Sequence, residues 1–166
     1  KLKGLDRLRQ GFAKLYAGSG NLSPKEAALR DCLIRYDIPR NLFDELLDGV
    51  AMDLTVSRYR AWSDLERYCY GVASTVGLIM ARVFGASRPE AYPHAIAMGK
   101  AMQLTNILRD IKEDWGLGRI YLPAEDMQRF GYDEEALGRG LLNDNFRNLM
   151  RFEIERARGL YALANP

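Results

Sequence analysis

The chain alternates between stretches with apolar residues at helical spacing and short polar breaks rich in glycine and proline. Apolar side chains that recur every three to four residues predict amphipathic helices, because those positions share one face of a helix. The strict apolar–polar alternation of a half-buried strand is not seen, and no Asn-Gly hairpin turn occurs. The pattern therefore predicts an all-α protein.

Capping signals predict where several helices begin. Ser23 and Glu26 form a capping box with a proline at the first helical position, and the Ser63/Glu66 and Ser87/Glu90 pairs have the same capping-box spacing. The predicted helices cover residues 2–15, 24–36, a segment around 42–47 that ends near Gly49, 64–84, 89–115, a short segment after Pro123, and 143 or 144 to 164.

The fifth of these helices carries a row of polar side chains. Gly99, Gln103, Asn106, Asp110 and Asp114 fall within a wedge of about 80° on an ideal helix. Two carboxylates four residues apart repel each other, and a hard cation such as Mg²⁺ would reverse that penalty. Because this spacing is also common on solvated helix faces, a metal site is favoured only by the amide side chains on the same face and by the RIYLP segment that follows.

The two arginines beside these acids, Arg109 and Arg119, could clamp phosphate oxygens. A second DxxxD pair, Asp44 and Asp48, is interleaved with apolar residues and has no preceding amides, which is typical of a solvated helix end. Asp53, which follows it, has no role that spacing predicts.

The segment 68–77 predicts a helix with two useful faces. Ala73, Gly77 and Ala81 are spaced by four and form a smooth face that another helix can approach closely. The other face would line an apolar slot with Tyr68, Val72, Thr75, Val76 and Ile79. Ordinary core packing explains such a face equally well, but beside an acidic helix the slot suits an amphiphilic ligand.

Composition narrows the function further. The 166 residues are 48% hydrophobic and carry a formal charge of +2 with both signs interspersed, which gives no reason to expect a nucleic-acid partner. The two cysteines, Cys32 and Cys69, have no metal-ligand spacing and predict a reducing, cytoplasmic location. The single histidine, His94, is typical of a surface or packing residue. The sequence therefore offers few of the side chains that a conventional zinc site or Ser-His-Asp catalysis needs.

The segments YCYGVASTVG (68–77) and MGKAMQLTNILRDIKEDWGLGRIYLP (98–123) resemble the two signature regions of the squalene/phytoene synthases. These enzymes are head-to-head prenyl-diphosphate synthases. Segments 48–59 and 150–161 are also similar to their counterparts in that family. The resemblance implies an all-α helical bundle of the isoprenoid-synthase type.

The resemblance also implies roles for the matching residues. Asn106, Asp110 and Asp114 would hold Mg²⁺ against the substrate diphosphate, and Tyr68 would assist proton removal or steady a developing cation. The other implied substrate contacts lie at the diphosphate end for Gln103, Arg109 and Tyr121, and along a prenyl tunnel for Val72, Ala73, Val76 and Gly77.

The implied reaction condenses two identical prenyl diphosphates, farnesyl or geranylgeranyl, through a cyclopropylcarbinyl diphosphate. The product would be phytoene, presqualene diphosphate or squalene, and only squalene formation would use NADPH. The expected partners are the prenyl diphosphates, and peripheral membrane association stays open because substrate and product are apolar.

One departure concerns the family's first aspartate-rich motif, which should lie well upstream of Tyr68. The only DxxxD pair there is Asp44/Asp48, in the wrong surroundings. We therefore expect residues 1–166 to form one all-α domain that is part of a larger synthase domain, incomplete at both ends and with little activity alone. The alternatives are a non-catalytic helical domain that binds prenyl diphosphate or another helix, and a head-to-tail prenyltransferase or terpene cyclase, against which QLTNILRD and RIYLP argue.

Overall fold

The computed structural model describes residues 2–18, 20–86 and 88–165, with the side chain of Leu2 left out. The helices are α1 Leu2–Ala17, α2 Pro24–Arg35, α3 Arg40–Thr55, α4 Trp62–Cys69, α5 Thr75–Val83, α6 Ala91–Arg109, α7 Ile111–Gly116, α8 Ala124–Arg129, α9 Glu134–Gly138 and α10 Asp144–Ala164. A π-helical turn, Tyr70–Ser74, joins α4 to α5. The predicted all-α fold is confirmed.

Helix α6 packs against α10, α5 and the π turn. His94 at its start lies 2.8 Å, through Nδ1, from the carbonyl oxygen of Leu163 in α10. The core beside it joins α4, α6, α10 and two connecting segments, and consists of Tyr59, Leu65, Tyr68, Cys69, Leu104, Ile107, Tyr121 and Ala157. Burial of these side chains away from water is the main force that holds the helices together. None of the described helices has the length and apolar character needed to cross a bilayer.

Glycines allow three close helix contacts. A Cβ added at Gly49 would lie 2.8 Å from the backbone carbon of Gly71, and one at Gly99 would lie 2.6 Å from the Cα of Ser74. A Cβ at Gly77 would lie 2.8 Å from the carbonyl oxygen of Ala95, which confirms the close approach of another helix predicted at this residue. The prediction that α3 ends near Gly49 is wrong: the helix continues to Thr55, and the glycine serves close packing instead.

Of the predicted capping boxes, one is confirmed and one is wrong. The box at Ser23 is confirmed, because Ser23 N–H donates to the Glu26 carboxylate at 2.7 Å and Ser23 Oγ accepts from Glu26 N–H at 3.4 Å. The box at Ser63 is wrong: the helix begins at Trp62, and the Asp64 carboxylate accepts from Ala61 N–H at 3.3 Å.

The other predicted helix boundaries were confirmed in part. Asn143 caps α10 as predicted, accepting from Phe146 N–H at 2.9 Å through Oδ1. The box predicted at Ser87 involves a residue outside the described ones, and α6 begins at Ala91. The short helix α9 was not predicted.

The RIYLP segment, residues 119–123, pairs with the connection between α3 and α4. Ile120 N–H donates to the Ser57 carbonyl at 3.0 Å, and Ala124 N–H donates to the Tyr59 carbonyl at 2.9 Å. Side chains alternate along an extended segment, so Arg119 and Tyr121 face the opposite way from Ile120. This pairing brings the segment after the acidic helix against the end of α3.

Candidate active site

Asp110 and Asp114 lie on either side of a break between α6 and α7. Asp110 departs from helical geometry with φ −100 and ψ 12, so the predicted continuous helix is wrong at this residue. Aspartate is a poor helix former because its side chain competes for local hydrogen bonds. The backbone ladder nevertheless continues, with Asp110 N–H bound to the Asn106 carbonyl and Asp114 N–H bound to the Asp110 carbonyl, both at 2.9 Å. The two carboxylates therefore remain one turn apart.

The carboxylate of Asp110 is held by its neighbour. Arg109 donates to it from Nε and Nη2, each at 2.7 Å, and these hydrogen bonds lower the pKa of Asp110. The Arg109 side chain is 68% exposed, whereas that of Asp110 is half-buried. The guanidinium predicted to contact phosphate thus neutralises an acid of the same cluster.

Asp114 is more enclosed. Burial, and then the negative charge of Asp110, raise its pKa, while the guanidinium of Arg119 opposes the shift. Asp114 also lines a narrow cavity with Arg119, Tyr121 and apolar side chains of α6 and α9. A partly buried carboxylate whose nearest charges include other carboxylates favours a bound cation.

The oxygen donors fit a hard divalent ion such as Mg²⁺, which binds carboxylate and amide oxygens and keeps several waters. Asn106, Asp110 and Asp114 supply one amide and two carboxylates, and Asn106 and Gln103 are half-buried upstream of the acids. In residues 2–18, 20–86 and 88–165, no group of three or more His, Cys, Asp or Glu side chains is arranged to hold a metal.

Three tyrosines form a buried stack beside the acids. The ring centroids of Tyr68 and Tyr121 are 5.3 Å apart, and each lies 5.6 Å from that of Tyr59. Burial is the largest cause of the raised pKa of all three phenols, to about 12 for Tyr121. All three are therefore neutral at physiological pH. Tyr59, which the sequence analysis did not single out, has a buried hydroxyl with no hydrogen-bond partner among the described residues.

Asp53 joins this site, although spacing gave it no role. Tyr121 donates its hydroxyl proton to Asp53 Oδ1 at 2.7 Å, and Arg119 Nη2 donates to the Asp53 carbonyl at 2.8 Å. These contacts join residues 66 and 68 positions apart in the chain, which no local pattern reveals. The only signal was the family resemblance of segment 48–59.

The predicted slot face does not form as one surface. Tyr68 and Val72 pack in the core beside α6, whereas Ile79 packs against the separate core of α1 and α2. Thr75 is fully buried and donates to the Gly71 carbonyl at 2.7 Å, and Val76 is 40% exposed. The π turn explains the difference, because its wider winding rotates the residues after it relative to those before it.

The small residues of this region face α6. The Cβ that Gly99 lacks would lie 2.7 Å from the backbone carbon of Ala73, and Gly77 approaches Ala95. A prenyl tunnel lined by Val72, Ala73, Val76 and Gly77 remains a prediction.

The other DxxxD pair lies on the surface. Asp44 faces Arg9 at 3.9 Å and Arg40 at 3.3 Å, and Asp48 also pairs with Arg9. These residues lie in the middle of α3 rather than at a helix end. Their charges are already compensated by arginines, and they do not join the acids of α6 and α7.

Comparison with known proteins finds similarity to one enzyme family. The family model for squalene/phytoene synthase matches residues 1–166. The chain is 41% identical over 176 residues to a phytoene synthase of Arthrospira platensis, covering 98% of this chain and 57% of that protein. It is 42% identical over 166 residues to a 15-cis-phytoene synthase of Synechocystis sp., covering 93% and 49%.

Two solved structures share the fold. A squalene synthase from Alicyclobacillus acidocaldarius superposes with a TM-score of 0.92 at 28% identity, over 98% of this chain and 62% of that one. A dehydrosqualene synthase crystallised with a ligand gives 0.90 at 32% identity, over 98% and 57%. The chain belongs to the squalene/phytoene synthase family. It spans about half the length of the curated relatives it matches.

Proposed function

We propose that this chain is part of a synthase that condenses two identical prenyl diphosphates head to head, with Mg²⁺ as its cofactor. The observation that carries the proposal is the cavity that Asp114 and Arg119 line together with Tyr121, one ring of the buried stack of three tyrosines. One end of this arrangement suits a charged diphosphate, and the other suits an apolar chain.

At the polar end, Asn106, Asp110 and Asp114 would hold Mg²⁺, which would neutralise negative charge as the diphosphate leaves. Arg119 is suited to donate to phosphate oxygens from the side of the RIYLP segment. Gln103 would contact the same substrate from one turn further up α6.

Arg109 has to leave Asp110 before it can contact phosphate. Ion pairs between exposed side chains stabilise a protein by only about 0–1 kcal/mol, so a diphosphate with its metal ion can displace this one. The Arg109–Asp110 pair would then exist only in the ligand-free state, and it would keep the guanidinium next to the acid that binds the diphosphate through Mg²⁺.

At the apolar end, the tyrosine rings exclude water from a developing carbocation and present their negative faces to it. Because the pKa of Tyr68 is raised, its hydroxyl stays protonated. This favours a role in steadying the developing carbocation over a role as a phenolate base. Val72, Ala73, Val76 and Gly77 would guide the prenyl chain away from the acids.

The reaction would pass through a cyclopropylcarbinyl diphosphate. The curated relatives are named phytoene synthases, which makes phytoene from geranylgeranyl diphosphate the first product to seek. Farnesyl diphosphate, with presqualene diphosphate or squalene as product, is the alternative, and only squalene formation would require NADPH.

The 166 residues would then be one all-α unit of a larger synthase domain, which would work in the cytoplasm with or without peripheral membrane association. Support for the larger domain comes from the relatives, of which the chain covers about half.

The test is binding of geranylgeranyl thiodiphosphate, an unreactive analogue, measured by calorimetry with and without Mg²⁺. We expect binding that requires Mg²⁺ and that falls at least about tenfold in Asp110→Asn and Asp114→Asn. Asp44→Asn, on the arginine-paired surface of α3, is the control. Equal binding by all variants would refute the metal site. Mg²⁺-dependent binding by this chain, together with no product formation by a full-length homologue, would favour a non-catalytic binding domain.

A further inference from the structure

Asp53 contacts both polar side chains that the RIYLP segment directs towards the site. Its carboxylate accepts the Tyr121 hydroxyl proton at 2.7 Å, and its backbone carbonyl accepts from Arg119 at 2.8 Å. One residue of α3 therefore anchors both the predicted phosphate donor and the tyrosine beside it.

The backbone contact uses a group that a helix leaves free. Helix α3 ends at Thr55, so the Asp53 carbonyl belongs to the last turn, whose carbonyls have no partner within the helix. A cation at this end also interacts favourably with the helix dipole. The Arg119 guanidinium is thus fixed near Asp114 by the C-terminus of α3, and this contact does not depend on the Asp53 side chain.

The side-chain contact fixes a proton direction. Tyr121 has one hydroxyl proton and gives it to Asp53, so its oxygen lone pairs remain for a neighbouring donor. The ring of Tyr68 lies 5.3 Å away, and the Tyr121 hydroxyl and the Asp53 carboxylate both favour the protonated form of Tyr68. The Tyr121 hydroxyl is therefore oriented towards Asp53, with the ring of Tyr68 packed beside the Tyr121 ring.

The geometry points to Asp53 as a positioning residue of the active site: its carboxylate orients the Tyr121 hydroxyl at the border between Asp114 and the tyrosine stack. This inference rests on the proposed function, because the two tyrosines border the substrate in that proposal. Asp53 therefore acts through Tyr121, whose hydroxyl it holds.

The experiment compares Asp53→Asn, Asp53→Ala, Tyr121→Phe and the double variant Asp53→Ala/Tyr121→Phe. Binding of geranylgeranyl thiodiphosphate with Mg²⁺ is measured by calorimetry, and unfolding is followed in urea. Asparagine keeps an oxygen that accepts from Tyr121, whereas alanine leaves the tyrosine hydroxyl without its acceptor. Asp48→Ala, on the exposed face of the same helix, is the matched control.

We expect Asp53→Ala to weaken binding about tenfold and Asp53→Asn to stay within about threefold of the wild type. The double variant should bind no more weakly than Asp53→Ala, because both changes remove the same interaction. Additive losses, or an asparagine variant as weak as alanine, would overturn the inference, the latter because it would indicate a need for the charge itself.

The unfolding measurement separates this inference from the proposed function. If the wild type does not bind the analogue, the proposed function fails, and the inference is decided by coupling in the unfolding cycle. Non-additive unfolding free energies for Asp53 and Tyr121 would support it, and additive ones would refute it. If the wild type binds and Asp53→Ala binds equally well, the inference fails while the proposed function stands.

Discussion

The carboxylate of Asp114 carries its charge in a partly buried position beside Asp110, and this raises its pKa. A group whose pKa is raised by folding stabilises the protein at low pH, and that stability is lost as the pH rises through the folded-state pKa. In metal-free protein at pH 7, we expect Asp114→Asn to increase the free energy of unfolding by a few tenths of a kcal/mol, because it removes like-charge repulsion.

Urea unfolding without Mg²⁺ measures this change, and Glu113→Gln, on the exposed face of the same helix, is the control. A clear loss of stability in Asp114→Asn would mean that the carboxylate is held by favourable contacts in the free protein, and the argument for a cation site would weaken.

A second carboxyl group is buried away from the site. Glu153 is fully buried; its Oε2 accepts from Arg156 Nη1 at 2.7 Å, while its Oε1 has no hydrogen-bond partner among the described residues. The same nitrogen of Arg156 binds Asp126 at 2.8 Å. Burial is the main cause that raises the pKa of Glu153 from 4.5 to about 7.

Because the raised pKa favours the protonated form, wild-type stability should fall as the pH rises from about 5 to about 8. Glu153→Gln stays neutral and should not show this loss, so the difference between the two proteins should change by about 1–3 kcal/mol across that range. Urea unfolding at several pH values measures it, with Glu155→Gln, an exposed partner of Arg158, as the control. Parallel pH profiles for wild type and Glu153→Gln would contradict the assignment.

Among the helices, the crossing of α6 with the π turn depends on Gly99. A Cβ there would lie 2.6 Å from the backbone of Ser74, which cannot move without shifting the turn. We expect Gly99→Ala to lower the free energy of unfolding by about 1–3 kcal/mol. The matched change is Gly11→Ala in α1, where a Cβ meets nothing within 4 Å and should stabilise the helix by about 0.5–1 kcal/mol.

Thermal or urea unfolding of both glycine variants gives the comparison. If Gly99→Ala is as stable as Gly11→Ala, the close approach of α6 to the π turn is not tight in solution.

Helix starts could be predicted where one side chain and one backbone N–H decide them, as at Ser23 and Asn143. The start at Trp62 could not, because Glu66 of the expected box binds Lys100 of α6 at 2.8 Å instead. The π turn at 70–74 and the break at Asp110 also lie within apparently regular helical patterns. Residue spacing at 100° per residue carries no sign of either, since both are deviations from that regular winding.

For the molecule as a whole, the site is a product of tertiary packing. The acidic row on α6 and α7 is local, and its spacing is visible in the sequence. Asp53 and Tyr59 reach it only because the 57–60 connection pairs with the segment after residue 119. Their contribution therefore depends on contacts more than 60 residues apart, and only the family resemblance of segment 48–59 pointed towards them.

The number of charged groups at the site predicts how the 166-residue chain behaves alone. Two prenyl diphosphates bring two highly charged groups, whereas only one aspartate pair proposed to hold Mg²⁺, Asp110 and Asp114, is found among the described residues, with Arg109 and Arg119 beside it. We expect the chain to bind about one equivalent of geranylgeranyl thiodiphosphate with Mg²⁺. Its rate of product formation from geranylgeranyl diphosphate should be at least about 100-fold below that of a full-length relative, because part of the charge stabilisation is missing.

Calorimetry gives the stoichiometry, and mass analysis of extracted product gives the rate, with the Arthrospira platensis phytoene synthase as the reference. Val76 and Met102 are 40% and 54% exposed, so a hydrophobic dye should bind to them. If the prenyl chain of the analogue lies over these residues, the analogue should displace the dye. Turnover close to that of the reference would show that these helices alone complete the site, and the proposal that they are one part of a larger catalytic domain would be wrong.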